Sequence, residues 1–422
     1  MKLSSLSKVW HPFTQHGLEL EMAEIARAEG AWLETADGHR ILDAISSWWV
    51  VTHGHRHPKI MAAITDQSEK LDQVIFAGFT HEPAETLAGR LQRLAPPGLD
   101  HVFFSDSGST AVEVALKMAL GLWRNRSEPR TRIVALEHAY HGDTIGTMSA
   151  GGRGVFNTAY EPLLFDVIRI PFPVKGREQV TIDALEKACA RGDVAAFIVE
   201  PLILGAGGMM MYEAATLKEM HRVAAAHGVV FIADEVMTGF GRTGTMFACE
   251  QAGISPDILC LAKGLTGGSL PLAATLCSHR VFEAHFSEDR AKTFFHSSSY
   301  TANPMCCAAA NANLDIWATE PVHERVEALV RAQSRRLAMF HNDARFSNVR
   351  QLGTITAMEL SGENGGYLAN IALRLRSFFL ARGILLRPLG ATIYVLPPYC
   401  IKPDELDQVY AAILAAADEV GL

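Results

Sequence analysis

The sequence lacks a long apolar run, a cluster of basic residues, paired cysteine motifs and internal repeats, and each absence removes a class of protein. No apolar stretch among the 422 residues reaches the roughly 20 residues that a membrane-spanning helix needs. The opening "MKLSSLSKVWHPF" has no apolar core of the secretory kind, so a cytoplasmic location is expected. Lys and Arg total 38 against 46 Asp and Glu, a formal net charge of -8, and the basic residues are scattered. Nucleic acid or an anionic membrane needs a concentrated basic face, so small molecules or other proteins are the expected partners. Seven cysteines, Cys189, Cys249, Cys260, Cys277, Cys306, Cys307 and Cys400, include no C-x-x-C pair. That odd set argues against a disulfide framework and a structural zinc site, and leaves them as small core residues.

What is present is 49% hydrophobic residues over a length that serves one large domain and a smaller one. Short apolar runs alternate with helical periodicity through the middle of the chain. "HVFFSD" (101–106), "RIVALE" (132–137), "AAFIVEP" (195–201), "VVFIADE" (229–235) and "DILCLAKG" (257–264) read as buried strands. From Thr110 to Leu122, residues Ala111, Val114, Ala115, Met118 and Leu122 recur at core spacing of a helix. A mostly parallel α/β sheet covered on both faces follows. After "NPMCCAAANANLDIWATEP" the pattern changes. A helix carrying Val322, Val326, Leu329, Val330 and Leu337 leads to short strands near 354–360 and 392–396, with a helix ending at Gly383 between them. This reads as a separate α+β lobe, tightly packed because no flexible linker intervenes.

Three strands end in polar groups: Glu200, Asp234 with Glu235, and Lys263. Ligands of open α/β sheets sit at the carboxyl ends of strands, so Asp234 and Lys263 are expected to face one cleft. A buried structural ion pair is the alternative. In "SDSGSTAVEVALKMAL" a strand runs through Gly108, Ser109 and Thr110 straight into a helix, which offers backbone N–H groups to an anion, although an ordinary N-cap looks the same. Phosphate cradle, carboxylate and amine together suit pyridoxal 5'-phosphate, whose ring nitrogen must stay protonated to draw electrons. A carboxylate about 4 Å away favours that proton by roughly 4 kcal/mol at an effective dielectric of 20. Asp234 suits this task, and Lys263 that of Schiff-base residue and proton shuttle.

Three other motifs compete. "GFGRTG" (239–244) matches G-x-G-x-x-G, but no long crossover helix follows, so a dinucleotide site is discounted. "HGHRH" (53–57) alternates histidines along an expected strand, which sends them to opposite faces and argues against a metal. "SSWW" (46–49) is either core packing or the wall of an apolar substrate channel.

"EHAYHGDT" (137–144), "DEVMTGFGRTG" (234–244) and "LAKGLTGG" (261–268), in that order, resemble the class III aminotransferases of fold-type I, over nearly the whole chain. "WHPFTQH" (10–16), "SSWW" before "THGHRHP", "FFSDSGS" and "LRPLGATIYVLPPY" (386–399) are similar to the branch of that family serving biotin biosynthesis. Those members aminate 8-amino-7-oxononanoate, normally from S-adenosylmethionine, in two half-reactions. The resemblance implies a large domain with a mostly parallel seven-stranded sheet (51–318) and a small domain from both termini (1–50 and 319–422). It implies a homodimer with shared active sites. It also implies that Lys263 carries the cofactor, Asp234 holds the ring nitrogen and Tyr140 stacks on the ring. Gly108 and Ser109 would bind the phosphate, Val236 would belong to the cofactor site, and Ser299 would reach the phosphate from the partner subunit. On the substrate side it implies Arg387 for the keto-acid carboxylate, Trp48, Trp49, Phe13 and Tyr394 as lining, and Arg242 in the substrate site, bracing it with Asp143.

Two departures stand out. Phe13 replaces the tyrosine of the usual W-H-P-Y-T, and Ser297-Ser298-Ser299-Tyr300 replaces the usual G-P-T-F. Serine keeps the phosphate-binding hydroxyl. Losing the tyrosine hydroxyl forfeits a hydrogen bond worth about 1.5–3 kcal/mol to a charged ligand, so lysine joins S-adenosylmethionine as a candidate donor. An ω-aminotransferase for diamines or β-amino acids and a non-catalytic cofactor-binding protein are the other readings.

Overall fold

The computed structural model describes residues 7–18, 22–361 and 370–419. The first six residues of the opening segment therefore lie outside the described residues. At the centre is a seven-stranded sheet in the order Leu99–Ser105, Ala273–Ser278, Ile258–Leu261, Val230–Asp234, Val194–Val199, Arg132–Leu136, Ile168–Ile170. All run parallel except Ala273–Ser278, which is antiparallel to both neighbours.

Side-chain alternation sorts these strands between two cores. Ile133, Ala135, Val230, Ile232, Ile258 and Cys260 pack with Ala111, Val114, Ala115 and Leu122 of the helix Gly108–Asn125. Val134, Phe197, Phe231, Ala233, Leu259 and Leu261 point the other way, into the larger core. Burial on both faces explains why the strands read as continuous apolar runs. Two strands escaped that reading. Ile168–Ile170 is only three residues long, and Ala273–Ser278 carries a buried threonine. The Thr275 hydroxyl is satisfied by the Ala111 carbonyl at 2.9 Å, which makes a polar residue acceptable in the core.

Ile25–Glu29, Trp32–Thr35 and Arg40–Asp43 form an antiparallel sheet that Ile384–Leu385 joins in parallel, so strands from both ends of the chain share one sheet. Phe346–Leu352, Ile355–Leu360 and Thr392–Val395 form a third, antiparallel sheet. The expected strand at 53–57 is absent: one isolated bridge joins His55 to Gly30. Its three histidines meet three different partners, His53 with Asn313, His55 with Asp43 and His57 with Glu320. Among the described residues no three metal-type side chains converge.

Candidate active site

Glu200, Asp234 and Lys263 follow or end three adjacent parallel strands, so their side chains gather at the carboxyl edge of the sheet. The strand leading to the lysine ends at Leu261, one residue before the end of its apolar run. Lys263 opens the turn Lys263–Thr266 with φ 48°, a left-handed conformation that strains a side-chain-bearing residue. Its Nζ lies 4.7 Å from the centre of the Trp49 ring. Burial lowers the amine from 10.5 to about 8, against the opposing charges of Asp234 and Glu200.

Asp234 is held from two sides. Its Oδ2 lies 2.7 Å from His141 Nδ1, and its Oδ1 accepts the Val236 N–H at 3.2 Å. Burial opposes a charge on His141, but the hydrogen bond and charge of Asp234 outweigh it and raise the imidazole pKa. His141 Nε2 is buried without a hydrogen-bond partner among the described residues. Glu200 accepts the Tyr140 N–H on Oε1 at 2.9 Å and the Gly205 N–H on Oε2 at 3.0 Å. Burial pushes its carboxyl up to about 7, with His141 pulling it down and Asp234 adding to the rise. Burial and the neighbouring Asp143 raise the Tyr140 phenol well above its ordinary value.

The helix Gly108–Asn125 begins two residues before the periodic pattern. Ser107 is its cap: Ser107 Oγ accepts the Thr110 N–H at 3.2 Å, and Thr110 Oγ1 accepts the Ser107 N–H at 2.9 Å. With the cap at Ser107, Gly108 and Ser109 fall in the first turn, where N–H groups have no intrahelical acceptor. A Cβ on Gly108 would stand 2.6 Å from Val236 Cγ1, and one on Gly142 only 2.1 Å from Ser109 Oγ. The close packing of Val236 and Ser109 at this helix end therefore requires glycine at both positions. A helix N-terminus, an amine and a hydrogen-bonded carboxylate fit the phosphate, aldehyde and ring nitrogen of pyridoxal phosphate.

These residues line a cavity of about 470 Å³ whose other end is aromatic. Phe13, Trp48 and Phe156 cluster there, with Phe13 ring centres 5.7 Å from Trp48 and 5.9 Å from Phe156. Arg387 lies over the Trp48 ring at 5.2 Å and donates from Nη2 to the Phe13 carbonyl at 3.2 Å. Trp49 Nε1 donates to Tyr394 Oη at 3.0 Å. Ser46, Ser47 and Trp49 all have positive φ. Buried Asp43 holds this strained turn by accepting the Ser47 N–H and hydroxyl at 2.8 and 2.9 Å.

One of the expected lining residues is placed differently. Arg242 does not line the cavity; it is fully buried behind it and donates to the carbonyls of Pro397, Trp49 and Val51 at 3.0, 3.4 and 2.8 Å. With its donors committed to backbone, it braces the tryptophan turn instead of meeting substrate. Ser299 is exposed and outside its own chain's cavity, its carbonyl accepting from Gln73 at 2.7 Å. Asp143 is exposed, with its N–H donated to Ser109 Oγ at 3.2 Å. His141 and Phe156 carry no role in the sequence reading. His141 sits inside the quoted "EHAYHGDT", but its partner is 93 positions away, and nothing local marks Phe156.

The parallel-centred sheet, with an amine and a carboxylate at its carboxyl edge beside a helix N-terminus, defines an aminotransferase site, and the chain belongs to the class III aminotransferases, whose family model matches residues 14–417. It is 48% identical over 420 residues to the adenosylmethionine-8-amino-7-oxononanoate aminotransferase of Synechococcus elongatus, covering 98% of this chain and 99% of that one. The crystal structure of the Methanocaldococcus jannaschii enzyme of the same name superposes with a TM-score of 0.95 at 34% identity, over 100% of this chain and 98% of that one. An amine transaminase from an uncultivated Pseudomonas species, in a pyridoxal-phosphate-bound form, superposes at 0.90 with 32% identity, over 98% and 99%.

Proposed function

We propose that this chain converts 8-amino-7-oxononanoate to 7,8-diaminononanoate in biotin biosynthesis, with S-adenosylmethionine as amino donor and pyridoxal 5'-phosphate as cofactor. One observation carries the reading: Lys263, Asp234, the Gly108–Ser109 helix end and Arg387 share a single cavity. Lys263 would hold the cofactor's aldehyde end, Asp234 its ring nitrogen and Gly108 and Ser109 its phosphate, with Tyr140 and Val236 completing the cofactor site. When bound, the cofactor supplies an electron sink for the carbon that gains or loses the amino group.

The chain's own residues do the rest. Lys263 Nζ, with a pKa brought to about 8, takes a proton from the substrate carbon and returns it near neutral pH. His141 keeps the Asp234 carboxylate aimed by its 2.7 Å bond. Arg387 takes the keto-acid carboxylate with a guanidinium fork, while Trp48, Trp49, Phe13 and Tyr394 enclose the apolar chain and exclude water. Arg242 and Asp143 brace this wall. The protein is a cytoplasmic homodimer, with a large domain over 51–318 and a small one from 1–50 and 319–422. Ser299 serves the phosphate of the neighbouring subunit. Exposed Ile75, Phe79, Phe295 and Tyr300 near the Gln73–Ser299 bond support such an interface.

A second reading keeps the fold and changes the donor. Phe13 brings no hydroxyl to the aromatic end, which favours lysine or an ω-amine. The test presents S-adenosylmethionine, lysine and several ω-amines separately to the loaded enzyme and follows its visible absorbance. Bleaching by S-adenosylmethionine and recovery with 8-amino-7-oxononanoate are expected. Bleaching by lysine or an ω-amine alone favours the second reading, and no bleaching by any donor leaves a non-catalytic cofactor-binding protein.

A further inference from the structure

The helix Pro304–Thr319 carries a fully buried amide, Asn313, among apolar residues such as Ala309, Ala310 and Ile316. Burying an amide is costly unless its polar groups find partners. Asn313 Nδ2 donates to the carbonyls of Gly264 and Leu265, both at 3.0 Å. With both amide hydrogens spent, Oδ1 is the atom left to accept, so His53 donates to it from Nε2 at 2.9 Å. Burial lowers the His53 imidazole from 6.5 to about 3, against the bond to Asn313, so the ring stays neutral and the amide sets its tautomer. The segment that follows is packed as closely. A Cβ on Gly267 would stand 3.2 Å from Asn313 Oδ1, and one on Gly268 2.7 Å from the Val50 carbonyl carbon.

Resting on the assignment of Lys263 to the cofactor, we propose that Asn313 is a positioning residue for that lysine: it fixes the two carbonyls that follow Lys263 and so keeps Nζ over Trp49. Lys263 has φ 48°, and a left-handed residue with a side chain persists only where its surroundings over-determine it. Within the turn, the Leu265 N–H donates to the Ala262 carbonyl and the Gly267 N–H to the Gly264 carbonyl, each at 3.0 Å. Those bonds are local, and the Asn313 amide supplies two that tie the turn to a helix 49 and 48 positions further on. Without them the turn relaxes toward the right-handed region and the amine swings into the cavity of about 470 Å³, where water reaches it. Desolvation is the main cause holding the amine low, with Arg242 adding to it and Asp234 and Glu200 opposing, so hydration moves the amine back up.

The test mixes cofactor-free protein with pyridoxal 5'-phosphate over a range of pH, follows the rise in visible absorbance, and fixes the adduct with borohydride so that peptide mapping locates it. Only the unprotonated amine adds to the aldehyde, with loss of water, so the pH profile of the rate reads the lysine; titrations of the free cofactor are common to every variant. The wild-type profile should bend at about pH 8, with the adduct on Lys263. Asn313→Leu and Asn313→Ala both remove the donors without adding charge, the first keeping the volume and the second avoiding any clash, and either serves should the other fail to fold. Each should move the bend up by about one pH unit or more and slow addition about tenfold at about pH 7. Asn311→Ala, on the same helix, removes an amide bonded to the Pro83 carbonyl at 2.9 Å, away from the turn; it should cost stability and leave the bend in place. A bend that stays at about pH 8 in the Asn313 variants, or moves equally in Asn311→Ala, overturns the proposal. A wild-type adduct on another lysine sinks the assignment of Lys263 instead.

Discussion

Replacing Lys263 by methionine should stabilise the cofactor-free protein near neutral pH, although it removes the residue on which the chemistry depends. The lysine pKa drops from 10.5 to about 8 in the folded chain. Below pH 8 the amine is protonated in both states, and the folded state bears the full cost of the buried charge, roughly 3 kcal/mol at about 1.4 kcal/mol per pH unit. Between pH 8 and 10.5 the unfolded chain keeps a proton that the folded chain has released, so wild-type stability climbs with pH through that window. The contact of Nζ with Trp49 returns about 0.5–1 kcal/mol, which leaves a net gain of about 2 kcal/mol for Lys263→Met. Methionine nearly matches the length of the lysine stem, and both variants carry the same left-handed backbone, so that strain cancels. Urea denaturation of cofactor-free wild type and variant should show the variant ahead near pH 7 and the gap closing as the pH approaches 10.5. A wild type as stable as the variant near pH 7, or a gap that does not change with pH, refutes the assignment of a desolvated amine.

Three further outcomes follow from the geometry. Arg387→Met should raise the KM for the keto acid about 10- to 100-fold, the scale of a lost charged hydrogen bond, as measured by recovery of absorbance at varied acceptor. Gly142→Ala drives a Cβ against Ser109 Oγ at a φ of 132°. It should loosen the cofactor by about tenfold or more in a dissociation titration, with the circular dichroism of the fold retained; unchanged affinity would show that Ser109 does not serve the phosphate. Phe13→Tyr puts a hydroxyl at the aromatic end of the cavity and should speed bleaching by S-adenosylmethionine by about tenfold over lysine. An unaltered donor ratio would locate donor choice elsewhere.

The central sheet was legible because its strands are buried on both faces. Val194–Val199 and Val230–Asp234 contain no alternation to confuse with a helix and are too short to be one. Ala273–Ser278 was not, since Thr275 looks like a loop residue until the Ala111 carbonyl is brought to it. The same distinction runs through the site. Asp234 and Lys263 announce themselves by breaking apolar runs, and Gly108–Ser109 by joining strand to helix. The motif around Arg242 placed it in the substrate site as a brace, but not its partners: its donors face Pro397, Trp49 and Val51, two of which precede it by more than 190 positions.

Local sequence thus determined the chemistry: a lysine at the end of a buried strand must be desolvated, and an aspartate on the neighbouring strand must share its edge. Tertiary structure alone decided how these groups are held. His141 finds Asp234, Glu200 ties down Tyr140, and Arg242 pins the tryptophan turn, all across long separations. A side chain's type fixes which bonds it is able to make, whereas the partner that satisfies it is chosen by which backbone segments the packed cores bring within about 3 Å.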